Sequence, residues 1–338
     1  MSLIPVDKIR STAEKAFIQA GVSPSFAAVQ ADLLIEAELR GHASHGLLRL
    51  PRLVARIKAG VADPAATGQQ SWRGSAFLSV EGQNGLGPVV AMSALDALCD
   101  RVSETGVALS AIRNCNHLGM LAWYARKIAE RGKVLIALTT SEALVHPWGG
   151  RYAMIGTNPI AIGVPADPQP FVMDMATSQV SMGKLHDYAN RGKSIPEGWA
   201  LDEAGNTTTD AAAATKGSIA PFGGPKGYAL GLGFEVLVGV LTASALGTDV
   251  EGTLDDDMVC NKGDIFIVME PASRDFASIS AYLDTIRNMP AADPDRPVAI
   301  PGDRAGAEYN RCLETGHEPD PEIWRTICAL ANDTVTEF

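Results

Sequence analysis

The sequence predicts an α/β protein of the α+β type with a helical N-terminal region. Three observations carry this. Apolar positions recur at helical spacing through the first sixty residues. From Phe77 to Met173 short β-rich runs alternate with amphipathic segments. The apolar run Ile265-Phe266-Ile267-Val268-Met269 reads as a further buried strand. With 338 residues and 46% hydrophobic content the chain can bury a large core. At ~150 residues per domain the prior is about two domains. The expected division is a helical region over 1–75, a central domain over 76–255, and a C-terminal strand, helices and tail over 256–338 that return to the first region.

The elements follow from local chemistry. Residues 6–17 carry apolar positions at helical spacing, and Gly21 ends that helix. Ser23-Pro24-Ser25 opens a second helix that runs to about Arg40. Residues 47–59 continue helically, with Pro51 tolerated near a start or kink. After a strand over 77–80, the tight turn Gly82-Gln83-Asn84-Gly85-Leu86-Gly87-Pro88 opens a helix over 89–105. Its glycines are spaced G-x-x-G-x-G, not the G-x-G-x-x-G of a dinucleotide fingerprint, so it reads as a turn or a weak phosphate loop. Strands are expected over 107–113, 134–139, 160–164 and 170–173, with a helix over 120–131. A helix over 278–288 follows the strand over 265–269, and the Pro-rich tail holds a last helix over 322–332. The apolar stretch over 228–246 contains Glu235 and several glycines, which favours a buried core helix over a membrane span.

Composition narrows the partners. A formal charge of −11 argues against nucleic acid, whose phosphates need clustered Lys and Arg. Cys99, Cys115, Cys260, Cys312 and Cys328 are an odd, scattered set with no C-x-x-C spacing. They read as reduced thiols of a cytoplasmic protein. No basic patch followed by an apolar run is found in Met1 to Arg10, so no signal peptide is expected.

The chemistry concentrates in Gly41-His42-Ala43-Ser44-His45-Gly46-Leu47-Leu48-Arg49. If helical geometry persists, His45 and Arg49 share a face. A proton donor beside a carboxylate-binding fork suits chemistry on a small organic acid. A helix end capped by Ser44, with Arg49 solvated, is the alternative. His117 sits where a strand gives way to a helix, a junction whose free amides suit an anion. Met173-Asp174-Met175-Ala176-Thr177-Ser178 ends a strand with small and polar residues. Lys226 in Phe222-Gly223-Gly224-Pro225-Lys226-Gly227 stands at the mouth of the apolar helix, placed for a phosphate or carboxylate or simply solvated. An Asp such as Asp187, beside His186, could orient an imidazole. His42 and His45 stand i, i+3 with no third ligand nearby, so no metal site is expected, and no G-x-S-x-G makes Ser44 a hydrolase nucleophile.

Together these strings resemble the malate/L-lactate dehydrogenase family that lacks a Rossmann domain. Ureidoglycolate and sulfolactate dehydrogenases and Δ1-piperideine-2-carboxylate reductases are among its members. The resemblance rests on Ser44-His45-Gly46 with Arg49, Asn116-His117-Leu118-Gly119, Gly156-Thr157-Asn158-Pro159, Asp174-Met175-Ala176-Thr177-Ser178, Ile195-Pro196-Glu197-Gly198-Trp199, Gly223-Gly224-Pro225-Lys226-Gly227 and Pro301-Gly302, in order over about residues 5–310.

The resemblance implies a nicotinamide-binding fold built on a mixed, largely antiparallel sheet, and an NAD- or NADP-dependent dehydrogenase acting on a small 2-hydroxy/2-oxo acid. A reductase of cyclic imino acids is the alternative. It implies His45 as proton donor or acceptor, assisted by Ser44, with Asp187 nearest to the family's acidic partner. Arg49 would hold the substrate carboxylate, with Thr157 close by. His117, Leu118, Gly119, Met120, Leu121, Ser141, Asp174, Met175, Ala176, Lys226, Gly302, Asp303 and Arg304 would surround the cofactor. A homodimer is implied, with no membrane or nucleic-acid partner. The tail from Gly316 departs from the family's pattern, with His317-Glu318-Pro319-Asp320, and is given no ligand role.

Overall fold

The structure, a computed structural model, describes residues 3–333. Two helices open the chain, α1 (Val6–Gln19) and α2 (Pro24–Leu39). Ser23 caps α2 by accepting the Phe26 amide, and Pro24 fills the first position, where no intrahelical donor is missed. Single 3₁₀ turns at Ala43–His45 and Leu47–Arg49 follow, then α3 (Leu50–Lys58) with Pro51 in its first turn. So the segment carrying His45 and Arg49 is a pair of tight turns, not continuous helix.

Next come β1 (Gln69–Arg73), β2 (Phe77–Glu81), α4 (Gly87–Thr105), β3 (Val107–Arg113), α5 (Leu121–Glu130), β4 (Val134–Thr139), β5 (Ile160–Val164) and β6 (Phe171–Met175). Then α6 (Met182–Asn190) precedes the short strand β7 (Ala200–Leu201), α7 (Ala211–Ala214) and β8 (Ser218–Ile219). The chain continues through α8 (Pro225–Thr242), β9 (Gly263–Met269), α9 (Ala277–Arg287), α10 (Asp303–Thr315) and α11 (Pro321–Leu330).

The main sheet has the order β1-β2-β3-β9-β4-β5-β6. Only β2 and β3 run parallel, joined by the α4 crossover, and every other pair is antiparallel. This is the mixed, largely antiparallel sheet that the family resemblance implies. β9, which follows the expected division at 255/256, lies in the middle of the sheet between β3 and β4. That place accounts for its apolar character. Phe266 and Val268 join the core shared with α2, α4 and α5, while Ile265 and Ile267 meet the α8 side. The C-terminal helices pack on the N-terminal ones, α11 against α1 and α3, and α10 against α2.

A correction concerns α8. It is not a buried core helix. One face packs on β3, β4 and β9, but Leu230, Val236, Leu237 and Val240 stand exposed, Val240 at 74%. A helix apolar all round has two faces to cover, and the described chain covers one. No helix among the described residues is long and apolar enough to cross a membrane.

Candidate active site

Glu38, buried near the end of α2, shapes the turn that carries the key side chains. Its Oε2 accepts the Leu47 amide at 2.9 Å, and its Oε1 lies 3.1 Å from His317 Nε2. A Cβ on Gly46 would come within 2.2 Å of the Glu38 carboxylate, so the turn needs glycine there. Within that turn Ser44 Oγ lies 3.1 Å from His45 Nδ1, and Arg49 Nε donates to the Ser44 carbonyl at 2.8 Å. Arg49 Nη1 reaches the Thr253 carbonyl at 3.5 Å, which leaves Nη2 without an acceptor among the described residues.

His117 enters from the β3–α5 loop. Its Nδ1 accepts the Gly119 amide at 2.8 Å, which places the proton of the neutral ring on Nε2. The His117 and His45 ring centroids are 5.7 Å apart. The glycine-rich turn at 82–87 proves to be a brace for this loop. Asn116 donates to the carbonyls of Asn84 at 2.6 Å and Gly85 at 3.2 Å, and a Cβ at Gly87 would lie 2.2 Å from the His117 carbonyl oxygen.

The opposite wall comes from β4, β5 and β6. Ser141 Oγ accepts the Thr157 amide at 3.0 Å. Glu235 on α8, buried, holds this strand's approach by accepting from Gly156 and Asn158. Glu142 Oε1 accepts the Thr253 amide at 2.7 Å, the Thr253 hydroxyl at 2.9 Å and the Leu254 amide at 2.8 Å. Asp174 on β6 accepts the Ala122 amide at 2.7 Å at the N-terminus of α5.

Electrostatics follow from crowding. Burial, with Arg49 and His42 nearby, lowers His45 to about 4. Burial also pulls His117 well below its ordinary value. Burial and Arg52 lower Arg49 to about 10, and Glu142 opposes that shift. At neutral pH the site therefore holds two neutral imidazoles beside a cationic guanidinium. Dense surroundings raise Asp174 to about 6, although its carboxylate stays in reach of solvent in the open cleft.

These walls enclose a cleft of about 320 Å³. It brings together Ser44, His45, Arg49, His117, Ser141 and Thr157. Gly119, Met120 and Leu121 line it from one side, and Asp174, Met175 and Ala176 from the other. Leu118 does not line it: the side chain is in the core, and its carbonyl accepts the Tyr124 hydroxyl at 2.7 Å. Gly302 and Asp303 line a neighbouring cavity of about 410 Å³ together with Val172, two residues along β6 from Asp174. Asp303 is paired with Arg287, and Arg304 is exposed beside it. Lys226 is exposed in the first turn of α8.

Asp187 does not line the cleft. It lies on α6, whose first turn touches the cleft, but its carboxylate pairs with Arg191 one turn on at 2.8 Å. The structure brings it to neither ring. Glu142 and Glu38 were not singled out by the sequence. Glu142 stands in the polar break after β4, but its partners lie 111 residues away. Glu38 is marked only as an acid near the end of an apolar helix.

The donor set fits a dinucleotide. Val172 and Asp174 share one face of β6 about 7 Å apart, and each lines one of the two cavities. A solvent-reached carboxylate at a helix N-terminus suits a sugar hydroxyl.

Comparison with known proteins agrees. The profile of the malate/L-lactate dehydrogenase family matches residues 4–328. The malate/(S)-sulfolactate dehydrogenase of Methanothermus fervidus is 33% identical over 99% of both chains. The Δ1-pyrroline-2-carboxylate/Δ1-piperideine-2-carboxylate reductase of Pseudomonas aeruginosa is 32% identical over 98% of this chain and 99% of that one. The crystal structure of a dehydrogenase from Sinorhizobium meliloti superposes with a TM-score of 0.93 at 49% identity, covering 97% of this chain and 98% of the other. The chain belongs to the malate/L-lactate dehydrogenase family of nicotinamide-dependent oxidoreductases.

Proposed function

We infer that this chain moves a hydride between NADH or NADPH and C2 of a small 2-oxo acid, with His45 handling the proton and Arg49 the carboxylate. The observation that carries this is the open edge of Arg49 beside the His45 ring on one wall of the cleft. The nicotinamide supplies the hydride when bound. In this reading the His117–Leu121 segment, Asp174 to Ala176, and Gly302, Asp303 and Arg304 at the start of α10 hold that cofactor.

Arg49 fixes the substrate by its carboxylate, which limits the orientations C2 can take. As reduction proceeds, negative charge grows on the C2 oxygen and His45 gives it a proton. Ser44, hydrogen-bonded to Nδ1, steadies the ring on the wall of the cleft. Arg49 also lowers the basicity of His45. A bound carboxylate offsets that charge, so substrate binding itself makes His45 a better proton carrier.

A second reading is reduction of a cyclic imino acid. The value of about 4 for His45 favours it, since an imine that arrives protonated needs no proton from the imidazole. Both readings share the Arg49 clamp.

The exposed apolar face of α8, with Val236 and Val240 at its centre, supports a homodimer. Lys226 stands in the first turn of that helix, where a second copy would enclose it. Five unpaired cysteines support a cytoplasmic location.

The test follows NADH and NADPH absorbance with a panel of 2-oxo acids and cyclic imines. Turnover of 2-oxo acids supports the first reading, and turnover of imines alone supports the second. Absence of turnover with both cofactors across the panel removes both.

A further inference from the structure

The charges around the cleft do not suit a substrate with two anionic ends. Three charged side chains line it, Arg49, Glu142 and Asp174. The two central histidines are held neutral by burial. Arg49 is therefore the one cation lining the cleft among the described residues, and one guanidinium holds one carboxylate.

Neighbouring arginines do not add a second. Arg52 lies behind Arg49 and pairs with Asp256 at 3.0 Å. Arg56 spends its donors on Asn116 and on the carbonyls of Asp255 and Met258. Arg304 is exposed on α10 and does not line the cleft.

Glu142 supplies the opposite chemistry. Its Oε1 takes all three donors from Thr253 and Leu254. Its Oε2 takes none among the described residues. Glu142 acts on Arg49 through space, but no ion pair joins them, so a ligand can lie between the two groups. The Thr253 and Leu254 donors fix the carboxylate in place, and it cannot swing away from an incoming anion.

We propose that Glu142 is a specificity-determining residue that selects 2-oxo monocarboxylates whose far end is neutral or donates a hydrogen bond, and rejects dicarboxylates. This rests on the cleft being the 2-oxo acid site. A second carboxylate would be brought beside a fixed carboxylate with no cation to answer it, and such like-charge placement is an effective barrier to the wrong ligand. A hydroxyl at the same position would instead donate to Oε2. The inference separates this chain from those relatives whose names specify malate or sulfolactate.

The test compares kcat/KM of the wild type and of Glu142→Gln for pyruvate, 2-oxo-4-hydroxybutanoate and oxaloacetate, with NADH and NADPH. The expected wild-type preference for the hydroxylated monocarboxylate over oxaloacetate is about a hundredfold. Glu142→Gln keeps a carbonyl oxygen for the Thr253 and Leu254 donors and is expected to narrow that ratio about tenfold. A wild type that uses oxaloacetate as well as the monocarboxylates overturns the proposal while leaving the general reading intact. An unchanged ratio in a folded Glu142→Gln protein does the same. Should the variant lose its fold, the wild-type ratio decides alone. If no 2-oxo acid is turned over with either cofactor, the reading of the cleft falls and this proposal falls with it.

Discussion

Burial and the nearby Arg49 guanidinium hold His45 at about 4, so the free protein presents a neutral imidazole at ordinary pH. The sign of the pH dependence follows. Oxidation of a 2-hydroxy acid needs the neutral ring as base. Its kcat/KM should stay flat as pH falls from 8 to about 5 and drop only near 4, where His45 gains its proton. Reduction needs the protonated ring, so its kcat/KM should fall about tenfold per pH unit above that point. An acid limb for oxidation near 6.5 would show that the ring is not buried as described. Arg49→Lys replaces a fork with a point charge. Losing one charge-assisted hydrogen bond, ~1.5–3 kcal/mol, should raise the substrate KM about 10- to 100-fold, read by steady-state kinetics. An unchanged KM would take Arg49 out of the site. At this scale the grouping of Ser44, His45 and Arg49 was readable because they lie within six residues, in two consecutive turns. Asp187 pairs with Arg191 four residues on, the spacing of a helical ion pair. Glu142 was beyond reach because its partners, Thr253 and Leu254, come from a distant loop.

Elements act here mainly as clamps on loops. Glu38 at the end of α2 ties the Leu47 amide, and His317 from the loop before α11 lies against the same carboxylate. His317 thus reaches the turn that carries His45 without lining the cleft. Glu38→Ala leaves a buried amide without its acceptor, at a cost of about 1–3 kcal/mol. Chemical denaturation should show that loss, and kcat should fall as the turn loosens. Wild-type stability in this variant would mean that the clamp does not hold the turn. The glycine-rich turn at 82–87 shows why spacing misleads. Its glycines admit the His117 carbonyl and the Asn116 side chain, contacts that sequence order does not reveal. Periodicity recovered most helices and strands, since most have a buried face. It could not assign β9 to the sheet centre, because a strand's neighbours are set by the whole topology.

For the whole molecule, the sheet carries helices on both faces, but α8 leaves its outer apolar side bare. A charge at Val240, exposed at 74%, should cost the monomer little and a subunit contact much. Val240→Glu is expected to turn a dimer into a monomer in sedimentation velocity, with the circular dichroism spectrum unchanged. A wild type that sediments as a monomer would place that face in solvent. The cleft itself lies where the N-terminal turns, the β3–α5 loop and the ends of β4 and β6 converge, so the site depends on the complete fold. His45 is where that convergence becomes chemistry. The most direct test is the rate of NAD(P)H consumption by His45→Ala with a 2-oxo acid that the wild type reduces. The account predicts a fall in kcat of about 10²–10⁴-fold, with nicotinamide binding retained in a fluorescence titration. Turnover near the wild-type rate with cofactor still bound would contradict it.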